Sequence, residues 1–347
     1  MDFDDLEEAE EAAGVVVPEA PGEFSGGILT LCPHNIQFPD PYNLPQDLTR
    51  KCGLPPSAKH REPKIRLFVF YGAGDSLIFW AQWMHQLPDW IEAAVYEWPS
   101  HGVREDEDHL KDAGLVIDDA MSGLAEAFRQ HAKGGILEGA PFALMGHSTG
   151  VVLICGVAER ARRLYGLEPA AMFFLDRGAL QYGLCSDYGK KLQEEDISAW
   201  LRIFHTSMAR LLDQRGDKDP KARKSFQMWC DDIQMQEWTQ PLGWHIFRCP
   251  LHSFVAMQNW ALDPPHVRAS MSEQDRLVVE SRAAILGSEP GSCALFTRRA
   301  YEDWQRWTTE SCTHYEVDCD HTTIKDNPFV RSKILEVLAA LVKLTAQ

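Results

Sequence analysis

The sequence predicts an α/β fold, a mainly parallel central sheet flanked by helices, with a helical lid inserted before the last strands. Three observations carry this. Dense apolar runs alternate with stretches of helical spacing between residues 65 and 175, which is the rhythm of βαβ units and a parallel sheet. From about 187 to 286 helical spacing continues without convincing strands. The strand rhythm then returns, and the chain closes in a helix.

Element by element, the acidic opening MDFDDLEEAEEAAG has no basic residue and is expected to be a solvated tail. Between Pro18 and Pro63, proline, glycine and polar residues with weak periodicity predict an extended arm on the domain surface. Residues 1–64 are therefore set apart from a domain over 65–347. Ile65 to Tyr71 is rich in β-branched and aromatic residues and predicts a strand buried on both faces. SLIFWAQWMHQL follows as a helix, AAVYEW (Ala93 to Trp98) as a strand, and Leu115 to His131 as a helix. FALM is the next strand, VVLICGVAERARRLYG a helix stopped by Gly166, and AMFFL (Ala171 to Leu175) a further strand. The interrupted block holds Trp200, Trp229, Trp238, Trp244 and Trp260, which suit either lid packing or the lining of an apolar channel. CALFT (Cys293 to Thr297) and HYEVDC complete the strands before the helix SKILEVLAALVKL.

Composition narrows the function classes. A net charge of −17 argues against non-specific nucleic-acid binding, because phosphates are repelled. Nine scattered cysteines contain no CxxC pair, so neither a zinc site nor a disulfide framework is expected. No apolar run is long enough to cross a bilayer, and the N-terminus lacks a secretory pattern. A soluble, cytoplasmic protein is the expectation.

The chemistry-bearing motif is GHSTG at residues 146–150. G-x-S-x-G places serine on a strained turn between a strand and a helix, and an apolar strand and a long helix flank it here. Ser148 is thus the candidate nucleophile. A tetrahedral oxyanion needs two backbone donors. Thr149, directly after the serine, supplies one; Ala73 in the glycine-bearing turn YGAGDS is the candidate for the other. His321, in VDCDHTTIKDNP, falls past the C-terminal end of the last strand, where such sheets carry functional loops, whereas His314 sits at the strand's start. His321 is the preferred base. For the acid, Asp176 ends the strand after the nucleophile helix, and Asp303 lies in a helix-like segment where a solvated carboxylate is the plain explanation. Asp320 adjoins His321 and cannot easily fold back on it. Asp176 is preferred.

These motifs resemble those of the α/β-hydrolase thioesterases that accompany polyketide, non-ribosomal peptide and fatty-acid synthases, over roughly Ile65 to Val342. LFVFYGAGDS looks like the family's strand and oxyanion loop. EWPSHGVREDE resembles its tyrosine-proline-glycine-arginine-glycine segment, with Pro99, Gly102, Arg104 and Glu107 matching and Ser100 and His101 departing. PFALMGHSTG is close to the nucleophile elbow, and DCDHTTI to the terminal histidine loop with Cys319 in place of glycine. The position of Asp176 is like that in synthase-fused terminal domains, while the isolated chain looks like the stand-alone type. The resemblance implies a monomeric serine thioesterase with no metal or redox cofactor. Its substrates would be acyl chains on the phosphopantetheine of an acyl or peptidyl carrier protein, or on coenzyme A. Acidic carriers would favour basic patches, for which RARR (Arg160 to Arg163) and KARK (Lys221 to Lys224) are candidates. An oxygen-ester hydrolase, and a catalytically silent binding protein on the same fold, are the competing readings.

Overall fold

The computed structural model describes residues 28–30, 64–88, 90–132, 141–183, 191, 195, 220–235, 247–257 and 296–345. Its centre is a seven-stranded sheet: β1 (Ile28–Thr30), β2 (Ile65–Phe70), β3 (Ile91–Tyr96), β4 (Phe142–His147), β5 (Ala171–Leu175), β6 (Leu251–Ala256) and β7 (Cys312–Val317). The spatial order is β1-β3-β2-β4-β5-β6-β7. β1 pairs antiparallel with β3, and the other six strands are parallel. The helices are α1 (Ile78–His85), α2 (Ala113–Ala132), α3 (Thr149–Tyr165), α4 (Pro220–Gln234), α5 (Arg298–Glu302) and α6 (Pro328–Thr345).

The apolar runs explain the middle of the sheet. β2 to β6 are buried along their whole length, as strands covered by helices on both faces must be. The edge strand β7 mixes buried and exposed positions instead. α3 packs its apolar face on the sheet and ends at Gly166, whose φ of 69° closes the helix in the left-handed conformation. Of residues 1–63, only the β1 backbone is described; it extends the sheet at its edge.

The expectation of helical spacing without strands across 187–286 is corrected by β6. Its sequence, LHSFVA, breaks the apolar run with His252 and Ser253, yet both side chains are buried. His252 is absorbed between aromatic neighbours, its ring 5.4 Å from Phe173 and 6.2 Å from Tyr315. Of the strand expected at Cys293 to Thr297, only the last two residues are described. Phe296 and Thr297 are not part of the sheet; Thr297, extended in its backbone, caps α5, its Oγ1 accepting from Ala300 N–H at 3.2 Å. Residues 293–295, and Trp200, Trp238, Trp244 and Trp260, lie outside the described residues. Among the described residues no helix is long and apolar enough to cross a membrane. Cys155, Cys230, Cys249, Cys312 and Cys319 are free thiols.

Candidate active site

The parallel strands deliver their functional loops to one edge of the sheet, the C-terminal one. β4 ends at His147 and α3 begins at Thr149, so Ser148 is the single residue of the turn between them. Its φ of 52° is strained for a non-glycine residue. The turn is so tight that a Cβ on Gly150 would come within 2.1 Å of the Phe70 carbonyl oxygen, so glycine is required there. Ser148 N–H donates to Leu175 O at 3.0 Å, tying the elbow to the end of β5.

The next residue is Asp176, with φ of 50°; among the described residues only Ser100, Ser148 and Asp176 are non-glycine with positive φ. Asp176 is completely buried. Its Oδ2 takes the hydrogen bond from His321 Nδ1 at 2.7 Å, and its Oδ1 accepts from Ala256 N–H at 3.0 Å and Tyr301 OH at 2.9 Å. His321 Nε2 has no partner among the described residues. A carboxylate on Nδ1 fixes the tautomer in which Nε2 is bare and able to take a proton.

His321 is held from a second side. His147 Nε2–H donates to the His321 carbonyl at 2.8 Å, with the two rings 4.8 Å apart. Burial and the neighbouring His321 push the His147 pKa well below the ordinary histidine value, so it stays neutral. Asp320 shapes the turn: its Oδ1 accepts from Thr322 N–H at 2.8 Å and Thr323 N–H at 2.9 Å.

The turn after β2 lies against the elbow, close enough that a Cβ on Gly72 would stand 3.0 Å from Ser148 Cβ. Gly74, Asp75, Ser76 and Leu77 N–H all have acceptors, namely Asp232, the Gly72 carbonyl, the Asp75 carboxylate and Glu97. The Ala73 and Thr149 amides have none among the described residues. Two donors beside one serine are the requirement of an oxyanion hole, and Thr149 opens a helix whose N-terminus favours negative charge.

The structure thus brings Ser148, Asp176, His321, Ala73 and Thr149 to one edge, and leaves the competitors elsewhere. His314 is exposed on β7. Asp303 accepts from Tyr182 OH at 2.5 Å and Gln181 at 3.2 Å. Sequence reasoning did not reach Tyr301, the Ala256 amide or Asp232; only His147, inside GHSTG, sat in a recognisable motif. The basic patches differ in state. Arg160, Arg162 and Arg163 pair with Asp118, Glu168 and Glu159, whereas Lys224 at the start of α4 donates to the Glu105 carbonyl at 3.0 Å.

A mainly parallel sheet with a serine elbow on its functional edge defines a hydrolase of the α/β type. The thioesterase-domain family matches residues 65–340, and the chain belongs to that family. Linear gramicidin dehydrogenase LgrE of Brevibacillus parabrevis is 26% identical over 214 residues, covering 60% of this chain and 75% of that protein. The medium-chain S-acyl fatty acid synthase thioesterase of Anas platyrhynchos is 29% identical over 144 residues, 41% of this chain and 52% of that protein. RedJ, a thioesterase from the prodiginine biosynthetic pathway in Streptomyces coelicolor, shares the fold with a TM-score of 0.53 at 20% identity, over 82% of this chain and 91% of that one.

Proposed function

We propose that this thioesterase hydrolyses acyl chains carried on the phosphopantetheine of an acyl or peptidyl carrier protein, or on coenzyme A, through an acyl-Ser148 intermediate. Ser148 Oγ attacks the thioester carbonyl while its proton passes to His321 Nε2. The Ala73 and Thr149 amides receive the oxyanion. When the tetrahedral centre collapses, the C–S bond breaks and the sulfur leaves with the proton from His321. Water then attacks the acyl-serine by the same route, releasing a carboxylic acid and restoring Ser148. Asp176 keeps Nδ1 protonated throughout and stabilises the transient imidazolium.

The observation that carries this reading is the 2.7 Å Asp176–His321 hydrogen bond at the strand ends that also present Ser148. The carrier-bound substrate class is supported by family membership and by relatives named for synthase pathways. The test is turnover of a graded series of acyl-coenzyme A and acyl-carrier thioesters by the purified chain and by Ser148→Ala. Ser148→Ala is expected to lose at least about 1,000-fold in kcat, as removal of a nucleophile does. Undiminished hydrolysis by Ser148→Ala would overturn the nucleophile. Preference for matched oxygen esters would overturn the substrate class.

A further inference from the structure

Helix α4 belongs to the connection between β5 and β6, yet it lies on the turn after β2. Two of its side chains make the contact. Trp229 packs against Gly74, where an added Cβ would stand 2.3 Å from the indole Cδ1 and where φ is 68°. Asp232, completely buried, accepts from Gly74 N–H at 2.9 Å through Oδ2.

The same Oδ2 meets His101 Nε2 at 2.8 Å, and His101 Nδ1 faces the Pro99 carbonyl at 3.1 Å. A carbonyl and a carboxylate both accept, so the two contacts are satisfied together when both ring nitrogens donate, which favours the imidazolium form of His101. Burial alone would lower the His101 pKa; the Asp232 carboxylate and the Pro99 carbonyl outweigh it, and the net direction is upward. His101 is itself locked, with its ring 5.3 Å from Trp98 and 6.1 Å from Tyr71. The carboxylate is therefore a buried, charge-paired fixture aimed at one backbone amide. A buried charge pair is weak grounds for stability but well suited to fixing geometry.

We infer that Asp232, clamped by His101, is a positioning residue for the oxyanion hole: by holding Gly74 N–H it sets the orientation of the adjoining Ala73 amide toward the thioester carbonyl. Gly74 adjoins Ala73, and every later amide of the turn is occupied, so a turn released at Gly74 changes the donor that remains. The inference rests on the reading of Ser148 and Ala73 above. It makes α4 a support for the oxyanion turn.

The test uses the full chain and a short acyl-N-acetylcysteamine thioester, which avoids any carrier contact. Hydrolysis by the wild-type chain and its loss in Ser148→Ala establish the underlying reading first; their failure overturns that reading and the inference with it. Asp232→Ala is then expected to lower kcat about 10- to 100-fold with KM within about 3-fold, less than outright removal of an oxyanion donor. Asp232→Asn, which keeps an oxygen for Gly74 N–H, is expected to recover kcat to within about 5-fold of wild type. His101→Gln keeps a donor to Asp232 without the charge, and is expected to lose about 3- to 10-fold in kcat at unchanged KM. Wild-type kcat in Asp232→Ala, or a loss confined to KM, overturns the inference. So does an Asp232→Asn variant as slow as Asp232→Ala. If Asp232→Ala does not fold, unchanged kcat in His101→Gln overturns it instead.

Discussion

Among the described residues, two buried aspartates are hydrogen-bonded to a histidine, and the pairs have the same chemistry with different outlets. Asp176 and Asp232 are both completely buried, each accepts one backbone N–H, and each holds a histidine at hydrogen-bond distance. In the first pair the second ring nitrogen of His321 is uncommitted among the described residues, and the imidazole is partly exposed. In the second, His101 spends its other nitrogen on the Pro99 carbonyl and is almost wholly enclosed. A carboxylate–imidazole pair is therefore not catalytic by composition. What the second nitrogen faces decides whether the histidine moves protons or only carries charge.

Converting each acid to its amide breaks that comparison most sharply. Asp176→Asn presents an amide to His321 Nδ1 and favours the wrong tautomer, so kcat is expected to fall about 1,000- to 10,000-fold. Asp303→Asn, whose carboxylate serves Tyr182 and Gln181, is expected to stay within about 2-fold. Steady-state hydrolysis by the two variants checks this, and activity retained by the first but lost by the second would move the acid to Asp303.

That contrast also marks what the chain discloses on its own. β2 to β5 were legible because strands buried on both faces need unbroken apolar runs, and Ser148 because its turn demands glycines on either side. Asp176 was legible as the residue ending such a run. β6 was not, since His252 and Ser253 interrupt the run and aromatic neighbours compensate only in three dimensions. Nor was the second pair. His101 and Asp232 are 131 residues apart, and neither sits in a pattern that says carboxylate meets imidazole. Tyr301 was hidden for the same reason, 125 residues from Asp176.

The buried titratable groups also differ in their response to pH. On the oxyanion side, Glu97 accepts from Tyr71 OH and Leu77 N–H, and burial pushes its pKa up from 4.5 to about 7. Between those values the folded chain keeps a proton that the unfolded chain has lost. Stability from this group therefore falls as pH rises through about 4.5 to 7, by up to about 1.4 kcal/mol per pH unit. Asp75 and Glu92, raised by burial to about 6 and about 7, act in the same direction. His252, lowered by burial to about 4, acts in the opposite one: its contribution is lost as pH falls from 6.5 toward 4. Glu97→Gln is expected to remove its share of the slope, which thermal melts across pH 4.5 to 7 will read as a flatter profile than wild type. An unchanged slope would show that Glu97 ionises in the folded chain at its ordinary pKa.

A much smaller effect than at Asp176 is expected at Tyr301, and its size relative to Asp232 sharpens the comparison. Burial is the first cause that keeps the phenol protonated, with the adjacent Asp176 adding to it, so Tyr301 OH is a permanent donor to Oδ1. Tyr301→Phe removes one of the three hydrogen bonds described for a carboxylate that keeps Ala256 N–H and His321. A loss of about 1 kcal/mol is expected, seen as a kcat about 3- to 10-fold lower at unchanged KM. The acid side has this redundancy because the end of β6, the helix α5 and the loop after β7 each supply a partner. The Gly74 N–H, by contrast, has one acceptor among the described residues, the Asp232 carboxylate from α4. Measured side by side, Asp232→Ala should cost more in kcat than Tyr301→Phe. The reverse order would mean that the acid, and not the oxyanion turn, is the more delicately held end of the site.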